Sequence, residues 1–358
     1  MGFSSSRLPP PGGGATARTL CWVEKPQDPH DPGFELAGEQ ASPLAGVASS
    51  PIQVATGGAV RTGTASWTDP TMTAKGVFYP DDARTAEDRL RYYATLFPVV
   101  EVDATYYALP REQQAQLWAE RTPDDFVFDI KAHALMTGQP SELKRLPKDI
   151  REALPEDLQA KTRVYGKDLP AEVYDEVWNS FLHGVRPLKD AGKLGAVFLQ
   201  FPRWIFPSNE ARDQILDAKR RLGDILLTVE FRHGSWFNEK NAERTLRFLS
   251  DNRIPYVIVD EPQGFKSSVP PVAAVTSPEL AVFRFHGRRK DTWEKQNIPP
   301  SERFRYLYDE DELADWAPRI AEAARSARET HAIMNNCSGN YGTTNAQQIA
   351  ELLKQYQA

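Results

Sequence analysis

Cysteine is nearly absent: the 358 residues hold two, Cys21 and Cys337, too few and too far apart for a disulfide framework or a cysteine zinc site. A reducing cytoplasm is the expected compartment. No run approaches the roughly 18 apolar residues that span a bilayer, and the amino terminus lacks the compact apolar stretch of a secretory signal. Neither a membrane partner nor export is expected. Positive charge is not in surplus either. Lys and Arg total 43 against 49 Asp and Glu, a net charge of -6, which argues against a broad electrostatic grip on nucleic acid and leaves room for a local basic pocket. What the chain does have, 41% hydrophobic and 26% charged residues, is the make-up of a globular protein with apolar material for one large core.

Residues 1–60 are dominated by Gly, Pro, Ser and Ala without a helical or strand period, and predict a disordered extension. From Arg61 the pattern changes to β-rich runs separated by segments of helical period, the mark of repeated βαβ units. Eight strands are expected: Thr62 to Trp67, Val99 to Ala104, Phe126 to Ala132, Ala196 to Phe201, Leu226 to Phe231, Tyr256 to Asp260, Ala281 to His286 and Ala332 to Asn336. Between them Leu90, Tyr93 and Phe97, then Val173, Val177, Phe181 and Val185, then Leu313, Trp316, Ile320, Ala323 and Ala327 fall on helical spacing. Thr85 followed by Asp88 resembles a capping box, Pro110 suits the first turn of the second helix, and a last helix is expected from about Asn345 to Tyr356.

This is the inventory of an eight-stranded parallel β/α barrel of the TIM type, spanning residues 61–358, with an insertion after the third strand. The insertion, at about 134–171, is polar and carries Pro147, Pro155 and Pro170 with Lys144, Arg145 and Arg151. It leaves from the face where barrel sites occur, which makes it a candidate lid, a plain surface excursion being the alternative.

Strand residues alternate faces, so one parity fills the barrel and the other meets the helices. If Val100, Val102, Val229, Phe231, Phe283 and Phe285 face out, then Glu101, Asp103, Glu230, Arg232, Arg284, His286 and Arg288 point in, joined by Asp129, Lys131, His133, Gln200, Asp260 and Asn335. Inward positions are ordinarily Val, Ile or Leu, because an unpaired buried charge costs several kcal/mol. One or two such charges make a structural ion pair. A dozen polar side chains converging on the carboxyl ends of the strands predict a pocket.

The ordered runs Gly63-Thr64-Ala65-Ser66-Trp67, Gly76-Val77-Phe78-Tyr79-Pro80, Glu101-Val102-Asp103-Ala104-Thr105-Tyr106-Tyr107, Lys131-Ala132-His133, Phe198-Leu199-Gln200-Phe201-Pro202, Glu230-Phe231-Arg232-His233, Phe285-His286-Gly287-Arg288 and Asn335-Asn336 resemble the YecE-like family, over residues 61 to about 356. The resemblance implies a TIM-type barrel and assigns no activity. The first run looks like the family's Gly-Thr-Ser-Gly-Trp with Ala65 and Ser66 in the small positions, and Asp103 stands where Asn is common.

Two classes of function follow from the inward residues. The first is an enzyme on a phosphorylated or sugar-like substrate, of hydrolase or isomerase type. Lys131, Arg232, Arg284 and Arg288 would form the anion site, with Glu101 and Glu230 as general acid and base and His286 or His133 as proton shuttle. Gln200, Asp103, Asp260 and Asn335 complete the binding set. The structural counter-reading is a Glu230 to Arg284 network that braces the barrel. The second class is non-catalytic binding of nucleic acid or a nucleotide, with Trp67, Tyr106, Tyr107 and Trp236 stacking at the rim. No motif demands a cofactor. A metal-dependent version would use Glu101, Asp103, His133, Glu230, Asp260 and His286, but no HExxH-like spacing occurs and the neighbouring cations oppose it, so no metal is assigned. The Gly12 to Gly14 run lacks the residues of a phosphate loop. Gly339 to Thr344, opening the last helix, either offers backbone donors to an anion or is a tight connection.

Overall fold

Apolar runs with β-branched residues become the staves of one parallel sheet. In the computed structural model, which describes residues 49–357, these are β1 (Ala59–Thr64), β2 (Val99–Val102), β3 (Val127–Lys131), β4 (Leu194–Gln200), β5 (Leu227–Glu230), β6 (Val257–Asp260), β7 (Leu280–Phe285) and β8 (Glu329–Met334). Neighbours pair in parallel from β1 to β5 and from β6 to β8, and β8 returns to β1. Among the described residues the ring closes between β5 and β6 through one isolated bridge, Val229 to Tyr256, where the Val229 N–H donates to the Pro255 carbonyl at 3.1 Å. The fold is a nearly closed TIM-type α/β barrel.

The main outer helices are α1 (Ala86–Ala94), α2 (Glu112–Glu120), α3 (Ala171–Asp190), α4 (Asn209–Leu222), α5 (Ala242–Asp251), α6 (Glu310–Ser326) and α7 (Tyr341–Leu353). The capping box at α1 is present: the Asp88 N–H donates to Thr85 Oγ1 at 3.1 Å, and the Thr85 N–H donates to the Asp88 carboxylate at 2.9 Å. Asp309 and Glu312 repeat the device at α6. Pro110 sits ahead of α2 and not in its first turn, because the chain is still extended at Arg111. The last helix begins at Tyr341, earlier than expected.

The short strand Ile52–Gln53 pairs antiparallel with Val60 and Ala59, and Ile52 and Val54 are buried. The fold therefore starts ahead of Arg61 and takes in the end of the stretch predicted to be disordered. The rest of that expectation, residues 1–48, lies outside the described residues. The insertion is folded: Pro140–Glu142 and Arg163–Tyr165 form a small antiparallel ladder, and Leu146, Ile150, Leu154, Leu158, Val164 and Leu169 join the main core.

Ala65, Val99 and Ile333 form a small buried apolar cluster of their own, with Val127 and Cys337 packed against it. Asp129 is inward, but it is consumed in the floor: Oδ1 accepts the Ala196 N–H at 3.1 Å and Oδ2 lies 2.8 Å from His331 Nδ1. Phe283 and Phe285 face outward onto Trp316 of α6, at ring separations of 5.9 and 5.5 Å.

Just past β1, Ser66 has φ +136°, a backbone region that strains any residue with a β-carbon. Ser66→Gly is expected to raise stability by about 1 kcal/mol, read as a higher melting temperature by circular dichroism, whereas Ser66→Val should lower it.

Candidate functional site

Alternation along β2, β5 and β7 brings three charged side chains to one point near the carboxyl end of the barrel. Arg284 of β7 is buried and lies between two buried glutamates. Its Nε and Nη2 donate to Glu101 Oε2 and Oε1 at 2.6 and 2.7 Å, a two-pronged pair, and its Nη1 donates to Glu230 Oε2 at 2.6 Å. Nη2 also lies 3.4 Å from Asn335 Oδ1 and 3.8 Å from Asp103 Oδ1. Every nitrogen of this guanidinium is occupied by protein, so Arg284 is a brace and leaves no fork for a ligand.

The two carboxyls are tuned apart. Burial pushes Glu101 up to about 8, against the pull of Arg284. For Glu230 burial also works upward, but the Arg284 charge, then His286 and Arg232, hold it well below the ordinary value. Glu230 Oε1 accepts from Gln200 Nε2 at 2.7 Å and Arg232 Nη1 at 2.9 Å, and lies 3.2 Å from His286 Nε2. Burial, then the Arg232 charge, push His286 down to about 3, so its ring is neutral. Asn335 Nδ2 lies 2.7 Å from its Nδ1, and its Nε2 lies 2.9 Å from Arg232 Nη1, a group that can only donate, as well as near Glu230.

Above this buried layer lies a partly exposed one. Lys131, 14% exposed, is 3.4 Å from Asp103 Oδ1, which is 33% exposed, and sits 5.3 Å over the Tyr106 ring. Loss of water raises Asp103, but Lys131 and Arg284 outweigh that and hold it below its ordinary value. Tyr106 donates to Gln139 Oε1 at 2.7 Å, and Gln139 Nε2 donates to the Gln200 carbonyl at 3.4 Å. Arg232, 17% exposed, lies 3.5 Å from Glu261 Oε2, and its guanidinium stacks 4.8 Å from the Trp293 ring centre.

The expected set thus divides. Glu101, Glu230, Arg284, Arg232, His286, Asn335, Gln200, Lys131 and Asp103 meet at the strand ends. Asp260 and Arg288 do not. Asp260 is in register with the outward Phe285 and accepts from Trp316 Nε1 of α6; Val257, Ile258 and Val259 are apolar on both faces, so the sequence offered no parity marker. Arg288 follows Gly287, whose φ of +80° turns the chain, and its guanidinium pairs with Asp260 at 2.6 Å and with Glu312 of α6 at 3.1 Å. Trp67 and Trp236 are core, not rim: Trp67 meets Trp118 and Phe128 at 5.6 and 6.3 Å, and Trp236 stacks on Phe231 at 4.2 Å. Tyr107 is exposed, with Arg145 5.6 Å over its ring. His133 is buried and pushed down to about 4 by that burial; its Nδ1 accepts the Leu135 N–H at 3.4 Å, and its Nε2 has no partner among the described residues. The Gly339 N–H is taken by Thr71 Oγ1 at 2.8 Å, which fits a tight connection. Among the described residues no three His, Cys, Asp or Glu side chains group closely enough to hold a metal ion.

Glu261 escaped the sequence reading. One residue past β6, it turns inward where Asp260 turns out. The Val269 N–H donates to its Oε1 at 2.6 Å, its Oε2 has no hydrogen-bond partner among the described residues, and burial pushes it up to about 8. The adjacent acid pair Asp260-Glu261 was the available signal: one of two neighbours at a strand end must point in. Trp293 was missed because it lies in a loop without a period.

A parallel β/α barrel with a charged cluster at the carboxyl ends of its strands is the class of protein this chain represents. Residues 61–358 match the family described as "Protein of unknown function DUF72", and the chain belongs to that family. It is 30% identical to the UPF0759 protein YunF of Bacillus subtilis over 75% of this chain and 87% of that one. It is 28% identical to the UPF0759 protein YecE of Escherichia coli over 51% of this chain and 56% of that one. Crystal structures of DUF72 family proteins from Enterococcus faecalis and Thermotoga maritima superpose with TM-scores of 0.63 and 0.64, at 26% and 28% identity. Each covers 82% of this chain, which in turn covers 97% and 99% of theirs. No described helix is long and apolar enough to cross a membrane.

Arg284→Ala leaves the ionised Glu230, with Glu101 beside it, buried without its cation and should cost about 3–5 kcal/mol in chemical denaturation. Adding Glu101→Gln and Glu230→Gln to it should recover part of that loss. Glu261 keeps its proton in the fold up to about pH 8, while the unfolded chain releases it near the ordinary glutamate value of 4.5. The folded state therefore binds the extra proton across that window, and stability falls as pH rises through it. Glu261→Gln should flatten this fall, read as the difference between the two melting-temperature profiles from about pH 5 to about pH 8.

Proposed function

We propose that the barrel is an enzyme that binds a small anionic, sugar-like molecule above the carboxyl ends of its strands and moves a proton on it, in hydrolase- or isomerase-type chemistry. The observation that carries the reading is the pair Glu101 and Glu230, held on opposite prongs of Arg284 and driven to opposite protonation tendencies. One carboxyl that takes up a proton near neutral pH beside one that stays ionised is an acid and base assignment in a single cluster. Glu101 is the proton carrier, Glu230 holds His286 and Arg232 in place, and His286, neutral at pH 7, relays. Because every nitrogen of Arg284 is engaged by protein, the charge that meets an anion comes from Lys131 and Arg232, the partly exposed cations of the mouth.

A nucleic-acid platform built on Trp67 and Trp236 is disfavoured, since both rings are packed against the outer core. The test is thermal shift and calorimetry with pentose and hexose monophosphates and inorganic phosphate. A sugar phosphate should raise the wild-type melting temperature, and Lys131→Ala and Arg232→Gln should abolish the rise. No shift with any of these anions, or the same shift in both variants, overturns the reading. With a substrate in hand, Glu101→Gln should lower turnover by about 100-fold or more while binding persists.

A further inference from the structure

The loop after β4 presents side chains that the proton chemistry leaves unused. Residues 202–207 are tied down: Trp236 Nε1 donates to the Ile205 carbonyl at 3.0 Å, and the Ile205 N–H donates to the Pro202 carbonyl at 3.1 Å. Ile205 is half-buried and joins the core, so Trp204 and Phe206 on either side face solvent, 50% and 52% exposed. Phe206 meets the His233 ring edge-on at 4.5 Å. Two large rings held in water by an anchored loop mark a contact surface.

Cations gather beside these rings. Arg203 and Lys266 are exposed, and neither has a carboxylate partner among the described residues. Arg303, half-buried, has Nη1 donating to the Thr292 and Trp293 carbonyls, the first at 3.2 Å, and Nη2 donating to the Lys295 carbonyl at 2.6 Å. The indole of the same Trp293 carries the Arg232 guanidinium. Trp293 is itself fixed, its Nε1 donating to Ser267 Oγ at 3.1 Å, and Ser267 donates to Glu294 at 2.8 Å. Burial first, and then the charges of Arg232 and Arg203, hold Arg303 below its ordinary value. Arg232 and Arg303 meet at Trp293, one on its ring and the other on its carbonyl, and the Phe206–His233 contact sets the loop of Arg203 beside Arg232, so an anion is the ligand whose charge these groups would share.

We propose that this rim, Arg203, Trp204 and Phe206 beside Arg232 and Arg303, is the subsite for a nucleoside phosphate: the guanidinium groups hold the phosphate, and an exposed ring stacks on the base. The inference rests on the reading of the strand ends as a small-anion site and narrows its substrate class. Two rings suit one base. A polynucleotide calls for a longer basic track, and the net charge of -6 argues against one.

Adenosine 5′-monophosphate is the probe, titrated by calorimetry and tryptophan fluorescence against ribose 5-phosphate, adenosine, inorganic phosphate and a single-stranded oligonucleotide. The titrations use wild type, Arg203→Ala, Trp204→Ala and Lys131→Ala. Arg203 and Trp204 are exposed, so their variants keep the fold. The mononucleotide should bind about tenfold tighter than either ribose 5-phosphate or adenosine, and Trp204→Ala and Arg203→Ala should each weaken it by about tenfold. If it binds no tighter than ribose 5-phosphate, or both variants bind it as wild type does, the subsite is refuted; loss of ribose 5-phosphate binding in Lys131→Ala would then still support the pocket. If Arg203→Ala and Trp204→Ala lose the mononucleotide but Lys131→Ala binds every phosphate normally, the rim stands and the pocket reading falls. Tighter, steeply salt-dependent binding of the oligonucleotide overturns the proposal in favour of a polynucleotide.

Discussion

A guanidinium without water must be surrounded by charge of the other sign, and Arg284 imposes that condition on the barrel. Its partners come from strands distant in sequence: Glu101 from β2 and Glu230 from β5, with Asn335 just beyond β8. Their meeting requires that β2, β5 and β7 stand at one height around the barrel axis, so a one-residue slip in any of them would turn a charge into the helix layer. Apolar contacts tolerate small adjustments. This ion cluster does not, because an unpaired member costs several kcal/mol.

The same saturation decides how the site is laid out. Had Arg284 carried one carboxylate, its second edge would face the opening; with two, the open charge shifts outward to Lys131 and Arg232. Each of those is restrained by a contact to an aromatic face and by acidic partners, Asp103 for Lys131 and both Glu230 and Glu261 for Arg232. Long cationic side chains held this way would lose less freedom on meeting the anion of the proposed function. The mouth is thus preorganised by the layer beneath it.

Much of this was legible in the chain. The βαβ rhythm defines the barrel, and the parity of β2, β5 and β7 is readable because each places large apolar residues on one face and charges on the other, as in Val100, Glu101 and Val102. Parity failed where that contrast is missing. Val257, Ile258 and Val259 are apolar on both faces, which hid the outward turn of Asp260 and the inward turn of Glu261. It failed again beyond a strand end, where Gly287 redirects Arg288. Aromatic residues near strand ends are equally ambiguous, since Trp67 and Trp236 fill gaps between sheet and helices, as their size favours. The pairing of Ile52 with Val60 was overlooked because two residues carry too little period to stand out from a Gly- and Ala-rich neighbourhood.

The closure between β5 and β6 gives the barrel a direction of weakness. Elsewhere each stave is stitched to the next by a run of paired residues, but here one bridge at Val229 and Tyr256 holds the edges. Above that bridge the two edges bear Glu230 on one side and Glu261 on the other, with Arg232 spanning the gap to both carboxylates. The side chain, not the backbone, is the upper clasp of the ring. Whatever draws Arg232 away from Glu230 and Glu261 would therefore unfasten the barrel wall at the place where the wall is thinnest, and under the proposed function that would couple occupancy of the mouth to the width of the cylinder.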